Sequence, residues 1–365
     1  MKNLNLMQEI FGLGPMRVPI ELKRLEKRKI IATEKEVTEH IFQMISNKIC
    51  NEILDEDTCC LLSGGLDSSI VTAIAQKNYY EKFGRPIRTY SFEYKESPNE
   101  DKPWVEKVSK YLKTEHTYLE IGTDELIENL FKAVDARRYP GMADIDSSLL
   151  AFLKLISEKS FFTGEGADEV FGGYWWMQTE ENFETFPWSN VEAREWFLKE
   201  IPIKDYVQKH FNETYVDNQK LTIDWFMPVL VDRTKKIAAY TGKVPLMPYK
   251  NDELIQYVYN LKPEFKIDKY ILRKVAEKLL PEEIVYRKKF PYPKTHNETY
   301  LKRVTEMLED IINSNDEPIN KFLDKEKVEK LLESKSNERP WFGQLMAKPQ
   351  QIAYLLQINY WLKNK

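Results

Sequence analysis

The stretch CCLLSGGLDSSIVTAIA, residues 59–75, constrains this chain's fold more than any other. A short apolar run ends in Ser63-Gly64-Gly65. Through Asp67-Ser68-Ser69 it passes into a helical pattern with Ile70, Val71, Ile74 and Ala75 on one face. That is a strand over 58–62, a tight turn and a helix start. Gly84-Arg85-Pro86 then breaks the chain before a second expected strand over 87–94. A helical pattern with Val105 and Val108 precedes a strand over 116–121, and one with Leu126 and Leu130 follows it. A further helix with Leu149, Leu150 and Leu153 leads to a strand at 161–162. Strand and helix in alternation imply an α/β fold with a parallel sheet and helices on both faces. Beyond Tyr174 the pattern is mainly helical and rich in tryptophan. Three units are expected: a helical lead-in over 1–57, an α/β core over 58–175, and a mainly helical region over 176–365 that completes the site. The lead-in reads as one helix over 22–57 from Val37, Ile41, Met44, Ile45 and Ile49.

In an open parallel sheet, ligands bind beyond the carboxyl ends of the strands. Gly64 and Gly65 let a backbone come close there, and Ser68 and Ser69 add hydroxyls at a helix N-terminus that favours an anion. The pattern is not a Walker loop, which needs G-x-x-x-x-G-K-[ST]. Asp67 beside a phosphate requires an intervening cation, which suggests Mg²⁺. A second cluster, FFTGEGADEVFGGY at 161–174, places Glu165, Asp168 and Glu169 at the end of the last strand. Acids so placed are solvated, paired, metal-bound, or simply favoured by a helix start. Two such clusters at strand ends of one sheet favour a site.

Composition narrows the classes of partner. A net charge of −4 with 31% charged residues gives no general attraction to nucleic acid or to an anionic membrane. No apolar run is long enough to span a bilayer, and Met1-Lys2-Asn3-Leu4 lacks a signal-peptide core, so a cytoplasmic protein is expected. The three cysteines, at 50, 59 and 60, support neither a disulfide framework nor a structural zinc site.

Ser63 through Ser69 resembles the pyrophosphate loop of the N-type ATP pyrophosphatases. Alone, that resemblance admits tRNA-thiolating and NAD-forming relatives. Thr163 through Glu169, with Phe171-Gly172-Gly173-Tyr174, resembles the second motif of the asparagine synthetase family's synthetase domain. KYILRKVAEKLLPEEIVYRKKF, residues 269–290, is similar to a further stretch of that family. The resemblance implies an adenine nucleotide alpha hydrolase-like fold and an ATP-dependent, amide-forming ligase. Such an enzyme adenylates a carboxylate, releases pyrophosphate, and transfers the acyl group to ammonia or an amine. Carried over by position, Ser63, Gly64, Gly65, Asp67, Ser68 and Ser69 would hold the polyphosphate of ATP. Leu62, Phe92, Thr163 and Gly164 would complete the nucleotide site. Asp67 and Asp168 would hold Mg²⁺, and Glu165 would be the general base. Lys289 would stabilise the departing pyrophosphate, with Lys288 its neighbour and rival.

Three departures from the family pattern stand out. Lys2 follows Met1 where the family's glutaminase domain needs a cysteine, and 57 residues precede the first expected strand, so a stand-alone form without that domain is expected. Thr241 through Pro248 replaces an E-V-R-V-P-F-x-D-like segment, losing its acid and arginine. Thr163 replaces a serine and keeps a hydroxyl. The expected partners are a small-molecule or peptide carboxylate, ammonia or an amine, and a separate glutaminase where glutamine is the nitrogen source. Two other readings compete: a non-catalytic nucleotide-binding subunit and a tRNA-modifying ATP pyrophosphatase. Asp67, Glu165 and Asp168 together argue against the first, and the near-neutral charge argues against the second.

Overall fold

Strand alternation gives this sheet two buried faces. In the computed structural model, Cys59 and Phe161 enter one apolar core with Tyr90, Phe92 and Leu130. Their neighbours Cys60 and Phe162 enter a second core with Ile70, Ile74 and Val105. Consecutive residues of a strand point to opposite faces, so an unbroken apolar run here marks a strand covered on both sides. The structure describes residues 2–14, 25–96, 101–179, 181, 183–190, 198–199, 201–288, 297–334 and 346–365.

The strands are β1 (Thr58–Leu61), β2 (Arg88–Tyr94), β3 (Glu115–Ile121), β4 (Ser160–Phe162) and β5 (Val244–Leu246). All pairings are parallel, in the order β3-β2-β1-β4-β5. Cys59 sits between Arg88 of β2 and Phe161 of β4. Helices α1 (Glu34–Glu52), α2 (Leu66–Phe83) and α3 (Lys102–Leu112) cover one face. Helices α4 (Thr123–Arg137) and α5 (Asp144–Leu155) cover the other.

The order of the strands fixes where a site can form. From β1 the chain builds outward through β2 and β3, then returns to lay β4 on the opposite side of β1. Between β1 and β4 the connections diverge, which opens a crevice at the carboxyl ends. Residues 62–66 and 163–166 leave the sheet there.

Several boundaries differ from those read in the sequence. The expected helix over 22–57 begins only at Glu34, because Thr33 and Glu36 form a reciprocal capping box (Glu36 N to Thr33 Oγ1 3.3 Å, Thr33 N to Glu36 Oε2 2.8 Å). The fifth strand, β5, was not expected. It pairs Pro245 with Phe161 and Leu246 with Phe162, and as an edge strand it tolerates its proline. The last helix, α9 (Lys348–Lys363), runs buried through the first core. There Gln357 donates to the Leu130 carbonyl at 3.0 Å and accepts from Gly141 N at 3.1 Å. Among the described residues, no helix is long and apolar enough to cross a membrane.

Candidate active site

The first loop is held by its own hydroxyls. Leu62 N donates to the Tyr90 carbonyl at 2.8 Å, extending the ladder by one residue. Ser63 Oγ and Ser68 Oγ lie 2.9 Å apart, and Gly65 N donates to Ser63 Oγ at 3.3 Å. Gly64 has φ +66°, and a Cβ there would lie 2.6 Å from Val105 N, so the turn needs glycine. Gly65 is the N-cap of α2 and supplies no side-chain cap, and the positive end of the helix there favours an anion.

The second loop meets the first almost backbone to backbone. A Cβ on Gly164 would lie 2.7 Å from Ser68 N and 3.0 Å from the Asp67 carbonyl carbon. Gly166, at φ +95°, then turns the chain into α6 (Ala167–Phe171). Asp67 and Asp168 thereby face one point, and Lys269 occupies it. Its Nζ lies 2.6 Å from Asp67 Oδ2, 2.8 Å from Asp67 Oδ1 and 2.6 Å from Asp168 Oδ1. Lys269 precedes α8 (Tyr270–Ala276) and is 5% exposed. Burial alone would lower its pKa, but the Asp168 and Asp67 carboxylates outweigh it and hold the ammonium above its ordinary value.

Glu165 is gripped from α7 (Met227–Tyr240). Arg233 donates to its Oε1 and Thr234 Oγ1 to its Oε2, the latter at 2.6 Å. Each carboxylate oxygen can accept two hydrogen bonds, so this grip fixes the group and leaves it capacity to accept more. Arg287 donates to Asp101 and, at 3.3 Å, to the Ser63 carbonyl, with its guanidinium 5.2 Å from the Trp104 ring.

These groups line a single cavity of about 330 Å³. Of the residues expected from the sequence, Leu62, Ser63, Gly65, Asp67, Ser68, Phe92, Thr163, Gly164, Glu165 and Asp168 line it. Gly64 and Ser69 do not. Gly64 shapes the turn, and Ser69 is fully buried, its hydroxyl without a partner among the described residues. Lys288 is exposed and lines the cavity, whereas Lys289 lies outside the described residues. Lys269, Arg233, Thr234 and Arg287 were not singled out from the sequence. Lys269 and Arg287 stood inside the quoted 269–290 stretch. Arg233 and Thr234 carried no local signal, because their partner is 68 and 69 residues away.

Phe152, Tyr174, Trp176, Phe226 and Leu230 add an aromatic and apolar share to the cavity's lining, and Phe152 packs against Phe92 with ring centroids 5.2 Å apart. Tyr174 stacks on Trp176 with ring centroids 4.4 Å apart, and its hydroxyl donates to Glu169 Oε1 at 2.6 Å.

A divalent cation fits here only in company. Asp67 and Asp168 already converge on one cation, and their oxygens suit Mg²⁺. Among the described residues, however, no group of three or more ligating side chains forms a cage. Two carboxylates completed by phosphate oxygens are a usual Mg²⁺ arrangement, so the residues fit an ion that comes with a polyphosphate.

Comparison with known proteins follows the same lines. The asparagine synthase family pattern matches residues 53–363. "Asparagine synthetase [glutamine-hydrolyzing] 3" of Bacillus subtilis is 35% identical over an alignment covering 98% of this chain and 69% of that protein. An asparagine synthetase [glutamine-hydrolyzing] of Cricetulus griseus is 28% identical over 63% of this chain, and one of Zea mays is 26% identical over the same share. The chain spans only 38% of the length of each of those two relatives. A solved NMN synthetase of Francisella tularensis aligns with 73% of the chain at 12% identity, with a TM-score of 0.27.

Proposed function

The chain belongs to the asparagine synthase family, and from that premise we propose that it is an ATP-dependent, AMP-forming carbon–nitrogen ligase. The observation that carries the proposal is the contact of the two loops at Gly164 and Ser68. It sets an uncapped helix N-terminus, two acids and an anchored glutamate around one cavity.

The polyphosphate of ATP lies against the Ser63–Ser68 loop and the first turn of α2, with the adenosine against Leu62, Phe92, Thr163 and Gly164. Asp67 and Asp168 are the residues that would hold Mg²⁺, which when bound would neutralise charge on the phosphates. A carboxylate oxygen of the substrate forms a bond to the α-phosphorus, the bond to the β-phosphate bridge breaks, and pyrophosphate leaves. Lys288 or Lys289 and the helix N-terminus stabilise the charge that gathers on it. A nitrogen nucleophile then forms the amide bond, AMP departs, and Glu165 accepts the proton from nitrogen. Arg233 and Thr234 keep Glu165 oriented for that transfer.

The nitrogen comes as ammonia or as an amine, delivered by a separate glutaminase where glutamine is the source. Burial pushes the thiols of Cys59 and Cys60 up, Cys60 to about 12, so neither is poised to attack glutamine. Residues 176–365 supply the acceptor side through Arg233 and Thr234. The aromatic residues in the cavity's lining suit a carboxylate that carries apolar bulk better than aspartate. A cytoplasmic setting agrees with three unbridged cysteines.

The fate of ATP tests this reading. Turnover with the carboxylate substrate should yield AMP and pyrophosphate; ADP and orthophosphate would refute it.

A further inference from the structure

Asp67 stands in the first turn of α2, after β1, and Asp168 in the first turn of α6, after β4. Lys269, from a third segment, holds both. Its ammonium is 2.6 Å from an oxygen of each acid and 2.8 Å from the other Asp67 oxygen. The fold goes out of its way to place it there. Asp268 and Lys269 both take left-handed backbone conformations, φ 48° and 57°, that side-chain-bearing residues rarely adopt. Beside them, a Cβ on Gly173 would lie 1.8 Å from Asp168 Oδ1 and 2.5 Å from Lys269 Cε, so the contact needs glycine as its floor. Tyr249, fully buried, donates its hydroxyl to the Asp67 carbonyl at 3.1 Å and fixes the loop from the other side.

We propose that Lys269 is the resident counter-cation of the nucleotide site. In the nucleotide-free protein its ammonium holds the Asp67–Asp168 pair where a divalent ion would stand, and a divalent ion binds there only together with the polyphosphate. The inference rests on the reading that these two acids serve Mg·ATP.

Charge explains the coupling. Two carboxylates and one ammonium leave a single negative charge. An entering Mg²⁺ would have to share oxygens already in contact with the ammonium, and like charges a few ångströms apart repel strongly away from bulk water. A triphosphate reverses the balance, since it brings several negative charges and oxygens enough for both cations. Lysine suits the role because its charge is compact and its stem flexible, so the ammonium can turn from carboxylate to phosphate.

The test uses the full chain, stripped of metal. Melting temperature is followed with Mg²⁺ alone and with Mg²⁺ plus ATP, and binding of Mn²⁺ by spin resonance. For the unaltered protein, millimolar Mg²⁺ alone should leave the melting temperature unmoved, and Mn²⁺ should bind only when ATP is present. Lys269→Gln should gain a Mg²⁺-dependent rise without nucleotide and bind Mn²⁺ on the order of tenfold more tightly, as loss of one nearby like charge implies. Lys269→Arg, which keeps the charge, should stay insensitive to Mg²⁺ alone. If Lys269→Gln fails to fold, the unaltered protein and Lys269→Arg still decide by their response to Mn²⁺ with and without ATP. Nucleotide-free Mn²⁺ binding by the unaltered protein, as tight as with ATP, overturns the inference and leaves the acids as metal holders. Absence of Mn²⁺ binding from every variant even with ATP overturns the metal-holding reading as well.

Discussion

Glu165 shows how much a single side chain depends on partners far along the chain. Its sequence surroundings mark an acid at a strand end, but only the fold brings Arg233 and Thr234 onto its two oxygens. Asp67 and Asp168 were legible for the same reason as Glu165: each sits in a short glycine-bounded motif. Lys269 was not, since its pairing spans 202 residues to Asp67 and rests on an unusual backbone conformation that lysine itself does not announce. Glu165→Gln keeps the size of the side chain and removes the base. Because loss of a general base typically costs about 10²–10⁴-fold, amide formation should fall by that much, while carboxylate-dependent exchange of pyrophosphate into ATP persists. Measuring both rates on one preparation separates the steps, and an equal loss in both would mean that Glu165 serves adenylation instead.

At the scale of elements, the sheet was readable where strands are covered on both faces, because Cys59-Cys60-Leu61 and Phe161-Phe162 form unbroken apolar runs. β5 escaped notice because it has three residues, a central proline and one exposed side. The loops' contact at Gly164 is equally invisible in sequence, since nothing local says that Ser68 N passes so near. Gly164→Ala should therefore cost about 1–3 kcal/mol of stability through overpacking and raise the KM for ATP, which melting and initial-rate measurements would show. A variant with unchanged KM would mean that the loops can part without harm to the site. A second element-scale expectation concerns β2 and β3. His116 accepts or donates at both ring nitrogens, to Thr89 and Ser91 at 2.9 Å each. Burial lowers its pKa from 6.5 to about 4. Between those values the unfolded chain takes up a proton that the folded chain refuses, so stability is full above the upper value and declines as pH falls toward the lower one. His116→Gln, which retains hydrogen bonding but does not titrate, should flatten the melting-temperature profile over that interval. An unaltered slope would assign the acid sensitivity to other groups.

For the whole molecule, the order β3-β2-β1-β4-β5 does the decisive work. It parts the connections beside β1 and lets segments from α7 and the stretch before α8 close over the crevice. The α/β character and the tight turn after β1 followed from the alternation of strands and helices. The closing segments did not, because helical periodicity reports which face is buried and says nothing of what it is buried against. The central claim is that this assembly joins a substrate carboxylate to the α-phosphorus of ATP. The most direct measurement follows heavy oxygen from a labelled carboxylate substrate during a single turnover. Adenylation places one labelled oxygen in the phosphate of AMP and none in pyrophosphate. Label in pyrophosphate or orthophosphate, or amide formed with unlabelled AMP, would contradict it.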